Sequence, residues 1–118
     1  MTTLEELGFE LRHVGINCET EEEACKVASR FDTIFGFTKK VGNSSVFAGT
    51  AVEAMKTPYL GKNGHIAVGT TDVEKAMEYL KNQGIEFDME TAKYKNEKMI
   101  AVYLKEEIGG FAVHLVQK

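Results

Sequence analysis

No stretch of about 20 apolar residues occurs in this chain, so a transmembrane helix is excluded. Basic residues form no stripe. The largest cluster, Lys93, Lys95 and Lys98, is interrupted by Glu97, and 14 Lys+Arg against 18 Asp+Glu leave a formal charge of −4. A nucleic-acid surface is therefore not expected, nor a membrane partner. Cysteine is scarce. Cys18 and Cys25 form no CxxC pair, and they read as reduced, structural thiols of a cytoplasmic protein. Met1 to Gly8 has no basic segment followed by an apolar core, so no secretory signal is expected. Without one, the glycosylation pattern Asn43-Ser44-Ser45 carries no meaning. Gly109-Gly110 is too short to cradle a phosphate and reads as a turn.

The remaining composition is that of one ordinary globular domain. There are 118 residues, 43% hydrophobic and 27% charged. Within it, histidine is rare and patterned. Only three occur, His13, His65 and His114, and each lies in an alternating, strand-like run. His13 begins His13-Val14-Gly15-Ile16-Asn17, and His65 begins His65-Ile66-Ala67-Val68-Gly69. Both runs lead into an acidic, helix-like segment.

Local signals extend this likeness into a repeat. Phe9 to Cys18 reads as a strand. Thr20 and Glu23 have capping-box spacing, and Glu21 to Glu23 suit the positive end of a helix running to about Phe35. Its inner stripe would be Ala24, Val27, Ala28, Phe31, Ile34 and Phe35, with Gly36 closing it. Three short strands follow: Thr38 to Val41, Ser45 to Ala48 and Ala51 to Lys56. The only proline, Pro58, opens a linker to Asn63. Then the unit restarts with a strand, Gly64 to Gly69, and a helix from Thr71 or Asp72 to about Gln83, ended by Gly84. Strands at Ile85 to Glu90, Met99 to Lys105 and Phe111 to Gln117 complete it. The order is βαβββ twice, at about 55–60 residues per unit. Met1 to Gly8 is either one helical turn, with Leu4 and Leu7 on one side, or a frayed leader.

Alternation assigns faces. Val14 and Ile16 oppose His13, Gly15 and Asn17. Ile66 and Val68 oppose His65, Ala67 and Gly69. Phe111, Val113 and Leu115 oppose Ala112, His114 and Val116. All three histidines thus stand on the face away from the bulkiest apolar residues. Glu53, between Ala51 and Met55, fits the same pattern. Histidine is the commonest protein metal ligand, and three imidazoles with one carboxylate suit Zn, Fe, Mn, Co or Ni. The alternative is a set of half-buried histidines paired with Glu53 or backbone. Lys56, Tyr59, Lys93, Tyr94 and Tyr103 are weaker candidates for contacts to an anionic substrate at a cleft mouth.

The His-x-Gly-Ile strand start, the duplicated βαβββ order and the closing Gly-Gly-Phe-Ala-Val-His-Leu-Val-Gln segment resemble the vicinal oxygen chelate superfamily, also called the glyoxalase/bleomycin-resistance/dioxygenase fold. The resemblance spans about residues 9 to 117. It implies an α+β fold of two tandem βαβββ modules, about 9–57 and 64–118 around the linker 58–63. Their curled mixed sheets would form one cleft, with the helices outside. It also implies metal ligands on the first and last strand of each module, here His13 and Glu53, then His65 and His114. Glu53 is the candidate catalytic base as well. At the last strand the family most often has glutamate where this chain has His114. The exchange makes the site one unit more positive and weakens its hold on hard cations.

Two segments, Gly42 to Gly49 and Met55 to Lys62, with Glu90 to Tyr94 and Lys105 to Phe111, look like the glyoxalase-like extension of some Gram-positive 2-dehydro-3-deoxyphosphogluconate / 4-hydroxy-2-oxoglutarate aldolases. The aldolase barrel itself needs about 200 residues or more and does not fit in this chain. The resemblance implies a glyoxalase-like protein, with or without a metal, that binds or transforms a small oxygenated compound: a 2-oxo acid or an α-hydroxycarbonyl. The alternative is a non-catalytic module accompanying an aldolase domain. A divalent metal, no organic cofactor, a small-molecule ligand and a homodimer are the expectations.

Overall fold

The computed structural model describes residues 2–118. A helical turn, α1 (Leu4–Leu7), precedes β1 (Glu10–Asn17), α2 (Glu21–Phe35), β2 (Lys39–Val41), β3 (Ser45–Ala48) and β4 (Val52–Met55). The pattern then repeats as β5 (Gly64–Thr70), α3 (Val73–Lys81), β6 (Phe87–Lys95), β7 (Lys98–Ile108) and β8 (Phe111–Gln117). This is the expected α+β, twofold βαβββ architecture. The strands make one continuous mixed sheet in the order β2-β3-β4-β1-β5-β8-β7-β6. In each half the last strand lies parallel to the first, β4 on β1 and β8 on β5. The two first strands, β1 and β5, pair antiparallel at the centre and join the halves.

Both helices cover the same side of this sheet. Thr20 caps α2 by accepting from the Glu23 amide at 3.1 Å, and Gly36 closes it at φ 75°. Ala24 and Ala28 of α2 are fully buried against Val46, Ala48 and Ala54, with Ile16 and Val52 packed alongside. Asp72, rather than Thr71, caps α3 by accepting from the Lys75 amide. Val73 and Ala76 then pack on Met99, Val102 and Leu115. Burying each such large apolar side chain stabilises the fold by about 1.5–3 kcal/mol.

Three expectations change. Ile34 and Phe35 are 54% and 61% exposed, not core. A 15-residue helix is about 22 Å long, whereas four-residue strands span about 13 Å, so the last turn of α2 overhangs its sheet. There Phe31, Phe35 and Phe37 stack on one another with centroids 5.6–6.4 Å apart. Next, α3 stops at Lys81, two residues short of the expected end, and β6 starts at Phe87 and runs on to Lys95. Its turn to β7 uses Asn96 and Glu97 at positive φ, 52° and 65°, a hairpin made without glycine. Lastly, the leader is ordered from Thr2 onward: Leu7 is 1% exposed in the α3-side core, and its carbonyl accepts from the Thr70 hydroxyl and the Thr71 amide. Met1 lies outside the described residues. Cys18 and Cys25 are free thiols.

Candidate metal centre

The face without helices carries the histidines. Strand register places them in two rows. In one, Glu53 of β4 pairs with Gly15 of β1, which pairs with His65 of β5, which pairs with Ala112 of β8. In the next, His13 of β1 pairs with Ala67 of β5, which pairs with His114 of β8, which pairs with Tyr103 of β7. Functional side chains therefore alternate with Gly15, Ala67 and Ala112, and every long side chain has a small one beside it. The spacing is strict at Gly15. A Cβ there would sit 2.0 Å from His65 Cε1, so only glycine lets the imidazole lie across β1.

This checkerboard brings all four expected residues together within one chain. His65 Nε2 lies 3.1 Å from Glu53 Oε1 and 3.3 Å from His13 Nε2, and His13 Nε2 lies 3.5 Å from Glu53 Oε1. His114 joins the group, with one ring nitrogen from each histidine within 4.8 Å of the others. Metal bonds of about 2.0–2.2 Å in tetrahedral geometry put neighbouring donors about 3.3–3.6 Å apart. The His13–His65–Glu53 triangle thus has the dimensions of a coordination face. His114 Nε2 is buried with no hydrogen-bond partner, a lone donor of the kind a cation satisfies. The residues fit a borderline divalent ion such as Zn, Fe, Mn, Co or Ni.

The electrostatics agree with that reading. The hydrogen bond with His65 holds the Glu53 carboxyl below its ordinary pKa, against the opposing effect of burial, and the Ser45 hydroxyl donates to its other oxygen at 2.8 Å. Burial lowers the His13 pKa by more than the Glu53 charge raises it. Burial, with the charges of His65, His13 and Lys93, pushes His114 down to about 3. Both shifts, at His13 and at His114, favour the neutral imidazole, the form that binds metal. The support of the rings is steric. His65 Nδ1 is buried without a partner, and His114 stacks on the Tyr103 ring at 4.3 Å and 9°. Burial also pushes the Tyr103 hydroxyl above its ordinary pKa.

Glu53, His65 and His114 line a cleft of about 480 Å³, walled also by Met55, Tyr59, Thr91, Lys93, Tyr103 and Val116; His13 is not part of its lining. Of the weaker candidates, Tyr59, Lys93 and Tyr103 do line it. Lys56 does not; it turns outward to Glu21 at 2.7 Å. Tyr94 is exposed elsewhere on β6. Two contributors escaped the sequence reading. Ser45, 3% exposed, shares the cleft face of β3, where alternation alone marks it. Asn17 holds the linker over the cleft mouth: its side chain accepts from the Tyr59 amide and donates to the Gly61 carbonyl at 3.0 Å. Gly61 has φ 90°, and a Cβ there would meet the Gly64 carbonyl at 1.9 Å. A broader groove of about 730 Å³ runs along the outside of α2 between Cys25, Arg30 and Lys39, far from any histidine.

No family description and no curated protein matches this sequence. Solved structures do match the fold. The chain is similar to methylmalonyl-CoA epimerase of Streptomyces coelicolor, solved with 2-nitronate-propionyl-CoA, at 17% identity and a TM-score of 0.61 over 92% of this chain and 94% of that one. Methylmalonyl-CoA epimerase of Mycobacterium tuberculosis gives 16% and 0.59 over 99% and 92%. A hypothetical protein of Bacillus halodurans gives 13% and 0.63 over 94% and 95%. At these identities the likeness establishes the fold, and that fold is the expected glyoxalase-like one.

Proposed function

We propose that the cleft is a divalent-metal centre, held by His13, Glu53, His65 and His114, that binds and transforms a small oxygenated compound, a 2-oxo acid or an α-hydroxycarbonyl. The observation that carries this reading is the meeting of side chains from four strands: His13, His65 and Glu53 lie within 3.1–3.5 Å of one another, and His114 brings a ring nitrogen within 4.8 Å of those of the other two histidines. The epimerases of similar fold act, by their names, beside a carbonyl of an acyl-CoA, which supports proton chemistry next to a carbonyl here. When bound, such a metal supplies Lewis-acid stabilisation of a carbonyl or enediolate oxygen. The chain's own part is proton movement and enclosure. Glu53 is the one carboxylate lining the cleft and the candidate base. The Ser45 hydroxyl donates to it and keeps it aimed. Tyr103 and Tyr59 narrow the cleft, and Asn17 fixes the linker that carries Tyr59.

A second reading is a non-catalytic binding module, with an aldolase domain as its associated partner. One observation favours it. Glu53 already accepts from His65 and Ser45, so among the described residues the cleft has no unengaged carboxylate. Incubation of metal-reconstituted protein with hydroxyacetone in D₂O separates the two. Exchange of the carbon-bound protons seen by NMR, lost in Glu53→Gln, supports catalysis. Binding without exchange contradicts it. We further propose a homodimer, since the edge strands β2 and β6 are open at both ends of the sheet, and a reducing compartment, in keeping with the free thiols.

A further inference from the structure

The mouth of the cleft carries a cation that the protein does not neutralise. Lys93 pairs with Ala101 of β7, which pairs with Val116 of β8, so it occupies the row beside Tyr103 and His114. Lys56 pairs with Glu21 at 2.7 Å, Lys98 with Asp72 at 3.9 Å and Lys105 with Glu86 at 3.6 Å, while among the described residues Lys40, Lys62, Lys75, Lys81 and Lys95 also stand without a salt bridge; what sets Lys93 apart is its place on the cleft wall. Among the described residues Lys93 has no carboxylate partner. The other charged residue of the cleft wall is Glu53, deep and occupied by His65 and Ser45. A divalent ion on the floor would outweigh Glu53 by one positive charge, and Lys93 adds another. The rest of the chain is acidic, so this positive excess is local.

We propose that the cleft selects a small doubly acidic compound over neutral carbonyls, with Lys93 holding a second carboxylate at the mouth while the 2-oxo acid end lies among His13, Glu53, His65 and His114. The inference rests on the reading of that cluster as the ligand-binding centre. An exposed ammonium in open water adds little to binding. Here the flanking Tyr103, Met55 and Val116 displace water on one side, and an arriving carboxylate meets no competing acid. A cavity of about 480 Å³ admits a five-carbon acid with room to spare.

Pyruvate and 2-oxoglutarate share the 2-oxo acid head, 2-oxoglutarate adding a distal CH2–COO⁻ arm, and hydroxyacetone carries no carboxylate. Calorimetric titration of the Mn²⁺-reconstituted protein with these three probes reads the preference. The expected order is 2-oxoglutarate, then pyruvate, then hydroxyacetone, with the first step about tenfold, the weight of one charge-assisted hydrogen bond. Lys93→Gln removes the first step, and Lys93→Arg keeps it. Equal affinity for 2-oxoglutarate and pyruvate, or a step that survives Lys93→Gln, overturns the proposal. Titration of metal-free protein separates it from the metal reading. A Lys93-dependent step without any metal uptake sustains the acid site and sinks the metal centre. Metal uptake without the step does the reverse.

Discussion

Glu53 and His114 occupy matching positions, each on the last strand of its half and each beside that half's first-strand histidine, yet their surroundings are opposite. After its eight-residue first strand, the first half continues in strands of three and four residues, whereas the strands of the second half run from seven to eleven. Both are half-buried, but Glu53 meets the Ser45 hydroxyl and His65, which hold it as an anion. His114 instead stacks on the Tyr103 ring and stays neutral. One fold unit, used twice, therefore supplies a charged corner and an uncharged one. On the proposed reading, the charge that would hold a cation and the candidate base both belong to the first half, while the second half supplies an uncharged, stacked imidazole.

The largest effect expected from this asymmetry is on metal affinity. Glu53→Ala removes the only negative charge of the group and should lower the affinity for Zn²⁺ or Mn²⁺ more than 100-fold, beyond the 10–100-fold loss usual for a supporting group. His114→Ala should cost clearly less. Equal losses by competition titration with a chromophoric chelator would erase the contrast between the corners. Gly15→Ala comes next. It pushes the His65 ring off β1, and we expect about a 10–100-fold loss of metal affinity with the fold retained by circular dichroism.

Acid should act through the second half. His114 has a folded pKa of about 3 against an ordinary 6.5, and His13 is lowered too. Groups depressed in this way favour the folded state above about pH 6.5, and that contribution is lost as pH falls toward 3. The urea midpoint of metal-free protein should fall on acidification through this window, and His114→Phe should flatten the slope. The smallest effect tests the overhang of α2: Phe35→Ser, which loses only the contacts with Phe31 and Phe37, should cost about 0.5–1.5 kcal/mol, whereas Leu115→Ala in the α3-side core should cost about 2–5 kcal/mol.

Much of this arrangement is legible in the chain because it follows period two. His13, Glu53, His65 and His114 share a face by alternation, and Gly15, Ala67 and Ala112 are visible as the small residues that make room. Thr20, Asp72 and Gly36 mark helix ends chemically. The misses have physical causes. Phe35 continues a helical stripe, but whether a stripe is covered depends on the length of strands in another part of the chain. Asn96-Glu97 turns the chain without glycine or proline, so the hairpin hides in a lysine-rich run. Lys56 and Lys93 look alike in sequence and are separated only by the position of Glu21 in space.

Metal content of the protein purified without a histidine tag, after incubation with Zn, Fe, Mn, Co and Ni salts and removal of loosely bound ions, tests the central claim most directly. Plasma emission spectrometry should find close to one divalent ion per chain, lost in His13→Ala and His65→Ala. Protein that retains no metal under any of these ions, while folded, would contradict it.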